Sequence, residues 1–442
     1  FFKKKDRMEK SENRKRKHNE ATFEFKLSLL NSNPIAFVDA LKDNSTLKSL
    51  TVKKGHQLIQ VSGSSAIADV LRVNSTLTTL NLSDIFILDE GAICIAESLK
   101  VNSSITSLNL YNNNIKKRGA EAIADSLEVN SSLTSLNLEW NQIEDEGAIL
   151  IAEALKVNSS VAALNLGLNS IHIDGALAFA DTLKVNMTIK SLEMGTNLIK
   201  KEGAIAIADV LKVNSFITSL NLYQNLIEQE GAIAIADTLK VNSSLISLNL
   251  GRNSIQRGGT IAIAEALKVN SSVTSLNLGG NSIHQDGVVA IADALNANVT
   301  IQSLDLGENA LKLEGAISIA DLLKVNSTLT TLNLRFNLIQ NEGAIAIADA
   351  LKVNTSLTSL NLSQKNYIGY DGCASIAKAL TYNPALVHLE MNNIRKPIHS
   401  GIQEFMNTFD NLKHLLQILI GEEGAQMLSV PFCIKSRSVT LK

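Results

Sequence analysis

Hydrophobic and polar residues follow a pattern along the chain that recurs at a fixed interval. The phase set by Leu77 returns at Ile105 and continues in the same 28-residue step as far as Leu357. Leu386 follows one residue later than that step requires and opens a twelfth copy, and Leu47 opens a degenerate first copy ahead of Leu77. Repetition at this period indicates stacked supersecondary units that share one continuous core.

Each copy has two halves with different hydrophobic periods. In the copy that opens at Leu329, Leu332 and Leu334 alternate with polar neighbours, which predicts a short strand with one buried face. From Ala344 to Leu351 the apolar residues return every three or four positions, which predicts a helix with one buried face.

The residues around the predicted helix suggest where it begins and ends. Gly343 is expected to precede the helix, and the acidic Glu342 favours a helix N-terminus there. Asn354 is expected to end the helix in the left-handed C-cap conformation, which asparagine tolerates.

A strand followed by a helix, repeated in one direction, predicts an α/β solenoid with a parallel sheet and helices on one side. Neighbouring strands lie roughly 4.8 Å apart and packed helices roughly 8–10 Å apart. This mismatch predicts a horseshoe with parallel strands on the concave face and helices on the convex face.

The pattern L-x-x-L-x-L-x-x-N, seen at Leu329, Leu332, Leu334 and Asn337, resembles the leucine-rich repeat. The 28-residue length with a full helix resembles the ribonuclease-inhibitor-like subtype and is similar to the repeat regions of NOD-like receptors. The resemblance covers residues 47–395. It implies that the asparagine closing each motif is buried and satisfies backbone groups in the turn. It implies the horseshoe strongly and a function only loosely, because this fold hosts many functions.

The ends of the chain lose the period. Residues 1–20 are basic and are expected to be a disordered tail, with a nuclear-localisation or nucleic-acid patch as the alternative. Residues 21–46 are expected to form a helical cap over the first copy, and 396–442 a C-terminal cap made of a closing helix or a decayed copy. Because the sequence opens at Phe1, a missing upstream domain is a further hypothesis.

Two positions vary among copies whose other positions are nearly constant: the pair directly after the third leucine of the motif. The first member should point off the concave wall, and the second should lie at the exit of the strand. Several carry aromatic or arginine side chains, which are enriched at binding hot spots. We therefore predict a protein-binding surface on the concave face, with neutral drift of exposed positions as the alternative. Its candidate residues are Tyr111, Glu139, Trp140, Tyr223, Arg252, Glu308, Arg335 and Phe336.

Asparagine also recurs at the centre of most strands, although it is a poor strand former. We expect these amides to hydrogen-bond to one another in a ladder on the concave face. The residues are Asn81, Asn109, Asn137, Asn165, Asn221, Asn249, Asn277, Asn333 and Asn361.

N-x-[ST] sequons recur in one phase, at the helix exit, so one repeated turn explains them better than glycosylation does. Among them are those that begin at Asn74, Asn102, Asn130, Asn158, Asn242, Asn270, Asn326 and Asn354.

Composition and motifs restrict the classes of function that we expect for the chain. The net charge of −2 indicates neither a nucleic-acid nor a membrane partner, and no apolar run is long enough to predict a membrane span. The chain contains no G-x-x-x-x-G-K-[ST], H-E-x-x-H or G-x-S-x-G motif, and its three cysteines form no C-x-x-C pair. We therefore expect no enzymatic activity, no cofactor and no metal site, and a cytoplasmic or nuclear location.

Three functions follow as hypotheses. The first is a non-catalytic protein-binding scaffold, or the sensing region of a larger receptor. The second is a GTPase-activating regulator of a small Ran-type GTPase, because the GTPase-activating protein for Ran resembles this chain in fold and repeat length. Arg118, Arg252 and Arg335 would be the candidate arginines, but the basic residues 435–442 depart from that protein's acidic tail. The third is extracellular recognition, which rests on the sequons.

Overall fold

The computed structural model describes residues 22–53, 59–391 and 417–419. The chain divides into two compact units. Unit 1 comprises residues 1–142 and 157–161, and unit 2 comprises residues 143–156 and 162–442.

Unit 1 alternates strands with helices. Its elements are β1 (Thr22–Lys26), α1 (Leu27–Ser32), α2 (Pro34–Leu41), β2 (Ser49–Lys53), α3 (Val61–Val73), β3 (Thr79–Asn81), α4 (Leu88–Leu99), β4 (Ser107–Asn109), α5 (Lys117–Val129) and β5 (Ser135–Asn137). Each strand pairs in parallel with the next strand along the chain.

Unit 2 continues the same alternation, and its first helix extends one residue beyond the unit, to Val157. Its elements are α6 (Glu144–Val157), β6 (Ala163–Asn165), α7 (Ile173–Leu183), β7 (Ser191–Glu193), α8 (Lys200–Leu211), β8 (Ser219–Asn221), α9 (Glu228–Leu239), β9 (Ser247–Asn249), α10 (Gln256–Leu267), β10 (Ser275–Asn277), α11 (His284–Ala297), β11 (Ser303–Asp305), α12 (Lys312–Val325), β12 (Thr331–Asn333), α13 (Gln340–Leu351), β13 (Ser359–Asn361), α14 (Tyr370–Leu380), β14 (His388–Glu390) and β15 (Gln417–Leu419).

The register of the strands keeps equivalent residues of successive copies side by side. In unit 2, Leu220 of β8 pairs with Leu248 of β9, and Leu248 pairs with Leu276 of β10. These central leucines are at most 2% exposed, whereas the strand residues on either side of them are half-buried. The predicted α/β solenoid of parallel strands and alternating helices is therefore confirmed in each unit.

The glycine that was expected to precede each helix lies inside its first turn. Helix α13 begins at Gln340, three residues before Gly343. A Cβ atom at Gly343 would lie 2.8 Å from the Cβ atom of Ala316 on the preceding helix. The glycine is therefore needed because two helices approach closely there, and its place before the helix was wrongly predicted.

The asparagine at the helix exit does not adopt the predicted left-handed conformation. Asn354 is not among the described residues with positive φ, and Asn130 and Asn298 have φ of −77° and −76°. Its helix ends at Leu351, and its side chain links two copies instead: Asn354 Nδ2 donates to the Leu323 carbonyl of the preceding helix at 2.8 Å, and Oδ1 accepts from the Leu357 N–H at 2.8 Å. The prediction failed because a cross-copy hydrogen bond stabilises an extended backbone.

The asparagine that closes each motif is buried, as the resemblance implied. Asn253 is 0% exposed, and its Oδ1 accepts from the Asn225 N–H of the preceding copy at 2.6 Å. Its own N–H donates to Asn281 Oδ1 of the next copy at 2.7 Å, so that three successive copies are linked. Asn253 Nδ2 also donates to the Leu222 and Leu250 carbonyls at 2.7 and 3.0 Å. The amide thereby satisfies backbone groups that water cannot reach.

The N-terminal segment differs from the predicted helical cap, because it opens with a strand. Phe23 and Phe25 of β1 alternate with polar residues, a period of two that favours a strand. Phe25 is buried, and its ring contacts the ring of Phe37 at a centroid distance of 5.1 Å. The predicted basic tail, 1–20, lies outside the described residues. So does most of the predicted C-terminal cap, in which residues 417–419 form β15, paired with β14.

Candidate protein-binding surface

The asparagines that were predicted at the strand centres are the last residues of their strands, and they fix the backbone of the first variable position. In unit 1, Asn137 Oδ1 accepts from the Glu139 N–H at 2.9 Å, and in unit 2, Asn333 Oδ1 accepts from the Arg335 N–H at 3.1 Å. The same bond forms in all nine described strands that end in an asparagine. Each amide oxygen thus accepts from the backbone, a bond that the expected ladder of amides did not include. Two amide nitrogens do bond to the equivalent side chain of a neighbouring copy, which is acidic: Asn333 Nδ2 donates to Asp305 at 2.9 Å, and Asn361 Nδ2 donates to Glu390 at 2.6 Å.

The second variable position has a left-handed backbone in all eleven copies, with φ between 52° and 71°. This conformation directs its N–H to the next copy: the Arg252 N–H donates to the Gly279 carbonyl at 2.7 Å, and the Glu308 N–H donates to the Arg335 carbonyl at 2.9 Å. Only one of these eleven residues, Gly280, is a glycine. Sequence reasoning missed the conformation because ten residues with a Cβ gave no signal for it.

The candidates of unit 1 form one cluster. The rings of Tyr111 and Trp140 meet edge to face, with their centroids 5.7 Å apart and their planes at 74°. Trp140 is 50% exposed. Burial raises the pKa of the Tyr111 hydroxyl above its ordinary value, and the charges of Asp84 and Glu139 raise it further. Aromatic surface and negative charge thus lie together, and we call Asp84, Tyr111, Glu139 and Trp140 the unit-1 cluster.

Three candidates of unit 2 form a charged cluster that spans four copies. Arg252 Nη2 donates to one oxygen of the Glu308 carboxylate at 2.6 Å, and Arg335 Nη2 donates to the other at 2.5 Å. A Cβ atom at Gly280 would lie 2.7 Å from Arg252 Cγ, and one at Gly307 would lie 3.0 Å from Arg335 Cγ. The glycines therefore let both arginines lie across the sheet and reach the same carboxylate.

The two remaining candidates of unit 2 are aromatic. The Tyr223 ring lies over Gly251, where a Cβ atom would be 2.9 Å from Tyr223 Cδ2. Lys365 Nζ lies 4.4 Å from the centroid of the Phe336 ring, within the range of a cation–π contact. Lys365 was missed by the sequence analysis, although it lies in the copy from Leu357, which is one residue longer than the 28-residue copies.

Comparison with known protein families indicates the same repeated architecture. A family model described as Leucine Rich repeat matches residues 73–96, 101–124, 129–152, 185–208, 213–236, 269–292, 297–320, 325–348 and 353–377. The chain is built of leucine-rich repeats. No curated protein matches the sequence of this leucine-rich-repeat chain.

Several solved structures are similar to the leucine-rich-repeat chain. A chain of the yeast Rad7 and Elc1 complex has 15% identity and a TM-score of 0.53, over 90% of this chain and 93% of that one. At that identity the likeness shows the fold alone. The leucine-rich repeat-containing protein LegL7 from Legionella pneumophila has 21% identity and a TM-score of 0.42, over 65% and 93% of the two chains. Leiomodin-1 Actin-Binding Site 2 has 26% identity and a TM-score of 0.28, over 30% and 78%.

Reactive groups in the described part of the leucine-rich-repeat chain are sparse. Its histidine, cysteine, aspartate and glutamate side chains form no group of three or more that could hold a metal ion. Cys94 and Cys373 are free thiols, and burial raises the pKa of Cys373 to about 12, so that thiol stays protonated at neutral pH. Among the described helices, none is long and apolar enough to cross a lipid bilayer.

Proposed function

We propose that this chain is a non-catalytic scaffold that binds a protein partner through its variable positions, on the sheet face that the helices leave open. One observation carries the proposal: the variable side chains stand on a backbone that is fixed from both sides. The asparagine amide at the strand end holds the first member, and a bond to the next copy holds the second. A surface ordered before binding loses little conformational entropy when a partner arrives.

The residue types on this surface suit protein recognition. Tyrosine, tryptophan and arginine are over-represented among residues that dominate binding energy. Trp140 is half exposed, and the side chains of Arg252 and Arg335 are 46% and 39% exposed while Glu308 orders them. Each of these side chains can therefore contact a partner while the core of the solenoid stays packed.

The finer form of the proposal places the chain in the ribonuclease-inhibitor-like subtype, acting as a cytoplasmic scaffold or as the sensing region of a receptor similar to the NOD-like receptors. The 28-residue copies with a full helix support the subtype. The free thiols of Cys94 and Cys373 support a reducing compartment.

The contacts of the candidate residues support neither GTPase activation nor extracellular recognition. Arg252 and Arg335 both pair with Glu308, and Arg118 pairs with Glu90 at 3.4 Å, so each candidate arginine for GTPase activation has an acidic partner within the chain. The sequon asparagines, on which extracellular recognition rested, use their amides in hydrogen bonds to the preceding copy.

The proposal is tested by affinity capture from extracts of the cells that express the protein. The immobilised wild-type chain should retain a specific protein, and Tyr223→Ala combined with Phe336→Ala should reduce its recovery at least tenfold. Both side chains lie outside the buried core, so the melting temperature should stay nearly unchanged.

The matched control removes apolar side chains from the helix ends of the same unit. Val213 and Val325 are 79% and 68% exposed, and Val213→Ala combined with Val325→Ala should leave recovery of the captured protein intact. If the wild type retains nothing, or if both double variants lose the protein equally, the proposed binding surface is wrong.

A further inference from the structure

The unit-1 cluster exposes an aromatic surface that the fold itself does not need. Trp140 is 50% exposed and occupies a left-handed backbone position with φ of 56°, where a bulky residue is disfavoured. The equivalent position in other copies holds Asn112, Thr196 or Gln224, so the solenoid accepts small and polar residues there. The indole therefore contributes little to the core, and its partner is the edge-to-face ring of Tyr111.

Two carboxylates lie on the strand segments around these rings. Asp84 and Glu139 are the only charged residues in the three strand segments 76–84, 104–112 and 132–140, which contain no lysine or arginine. Asn112 Nδ2 donates to Asp84 Oδ1 at 2.6 Å, which fixes one of the two carboxylates. The pKa of the Tyr111 hydroxyl is raised first by burial and then by the charges of Asp84 and Glu139, so both carboxylates act on Tyr111.

Exposed aromatic faces and carboxylates together are suited to one class of ligand, an organic cation. A lysine ammonium or arginine guanidinium within about 6 Å of a tryptophan centroid is attracted to the ring face. A carboxylate beside the ring adds charge-assisted hydrogen bonds and, with arginine, two parallel ones. The cation–π part of this chemistry already occurs in unit 2, where Lys365 lies over Phe336.

We propose that the unit-1 cluster is a subsite for a basic side chain, arginine or lysine, of the protein partner. The cation lies against the exposed indole of Trp140, and the carboxylates of Asp84 and Glu139 balance its charge. This inference rests on the proposed scaffold function and adds to it the chemistry that the partner presents at this place.

The single tryptophan of the sequence makes the subsite directly observable, because all tryptophan fluorescence comes from Trp140. The probe is the blocked peptide Ac-Gly-Arg-Gly-Arg-Gly-NH2, titrated into the full chain at low salt. We expect a saturable change in emission, with an affinity that falls as sodium chloride is added. The same peptide with lysine should also bind, whereas the peptide with glutamate should give no saturable change.

A charge-neutralising pair of variants tests the carboxylates without removing the reporter. Asp84→Asn combined with Glu139→Gln should weaken binding of the arginine peptide about tenfold or more, the factor that corresponds to about 1.4 kcal/mol. The control, Glu121→Gln with Glu128→Gln on α5, removes the same charge from exposed helix positions and should leave the affinity within about twofold.

Three results would overturn the subsite: no saturable emission change with either basic peptide, an equal change with the glutamate peptide, or equal weakening by both pairs of variants. Circular dichroism shows whether the variants fold. If the variant with Asp84→Asn and Glu139→Gln does not fold, the salt dependence of peptide binding to the wild type tests the carboxylates instead. If the peptide titration fails, the capture experiment with Tyr223 and Phe336 still tests the proposed scaffold function. If the capture experiment fails, the peptide titration still tests the subsite.

Discussion

At the scale of single residues, asparagine has three roles that depend on its place in the copy. At the end of the strand, as in Asn249, its oxygen fixes the backbone of a variable position. At the end of the motif, as in Asn253, it is buried and joins successive copies. At the helix exit, as in Asn242, its Nδ2 donates to the Leu211 carbonyl of the preceding copy. One residue type thus serves both the scaffold and the binding surface.

The motif-closing role predicts a large effect on stability. Asn253→Ala leaves the N–H groups of Asn225 and Ile227 and the carbonyls of Leu222 and Leu250 without this partner. We expect the free energy of unfolding to fall by at least about 2 kcal/mol, measured by urea denaturation.

The matched substitution is four residues earlier. Asn249 is half-buried and accepts from the Gly251 N–H at 3.1 Å. Asn249→Ala should therefore cost about 1 kcal/mol or less. Equal losses for the two variants would contradict the assignment of separate roles.

At the scale of elements, the packing of neighbouring helices is set by small residues in their first turns. A Cβ atom at Gly259 of α10 would lie 2.8 Å from the Cβ atom of Ala232 on α9 and 2.6 Å from Ile255 Cγ2. At the adjacent Gly258, it would meet the end of the flexible Gln229 side chain. Two consecutive glycines therefore face different constraints, although their sequence context is almost the same.

This difference predicts opposite outcomes for the same substitution. Gly259→Ala should lower the free energy of unfolding by about 1–3 kcal/mol, because Ala232 and Ile255 cannot move aside without disturbing the core. Gly258→Ala should be neutral, or stabilising by up to about 1 kcal/mol, because alanine favours the helix and Gln229 can rotate away. Thermal unfolding of both variants distinguishes them, and destabilisation by Gly258→Ala as large as that by Gly259→Ala would contradict the packing argument.

At the scale of the whole molecule, the helix-exit asparagines explain in both units why N-x-[ST] recurs. Of the eight sequon asparagines named in the sequence analysis, seven are buried, and the half-buried Asn326 donates to the Leu295 carbonyl at 2.9 Å. Because each amide nitrogen faces the preceding copy, a glycan attached to it would separate the two copies. Repeat proteins derive their stability from such neighbour contacts.

Native protein should therefore carry no N-linked glycan at these positions. Treatment of material purified from its natural source with a glycosidase should leave the intact mass unchanged, while a glycosylated control protein in the same reaction loses mass. A mass decrease that maps to Asn242 or Asn270 would show that these copies do not pack as described.

The sequence by itself determined the repeat, its strand and helix, their parallel order and the two variable positions. Those features depend on local hydrophobic periods and on comparison of one copy with another. Comparison of copies also picked out candidate residues of the binding surface, namely Tyr111, Trp140, Arg252 and Arg335.

Only the tertiary structure decided which of these side chains meet. The pairing of Arg252 with Glu308 joins side chains from separate copies and depends on Gly280 leaving its path open. The left-handed backbone at Arg252, whose N–H donates to the Gly279 carbonyl, and the close approach at Gly343 likewise involve the neighbouring copy. Contacts between copies are set by packing geometry at the ångström scale, which residue type and spacing within one copy do not encode.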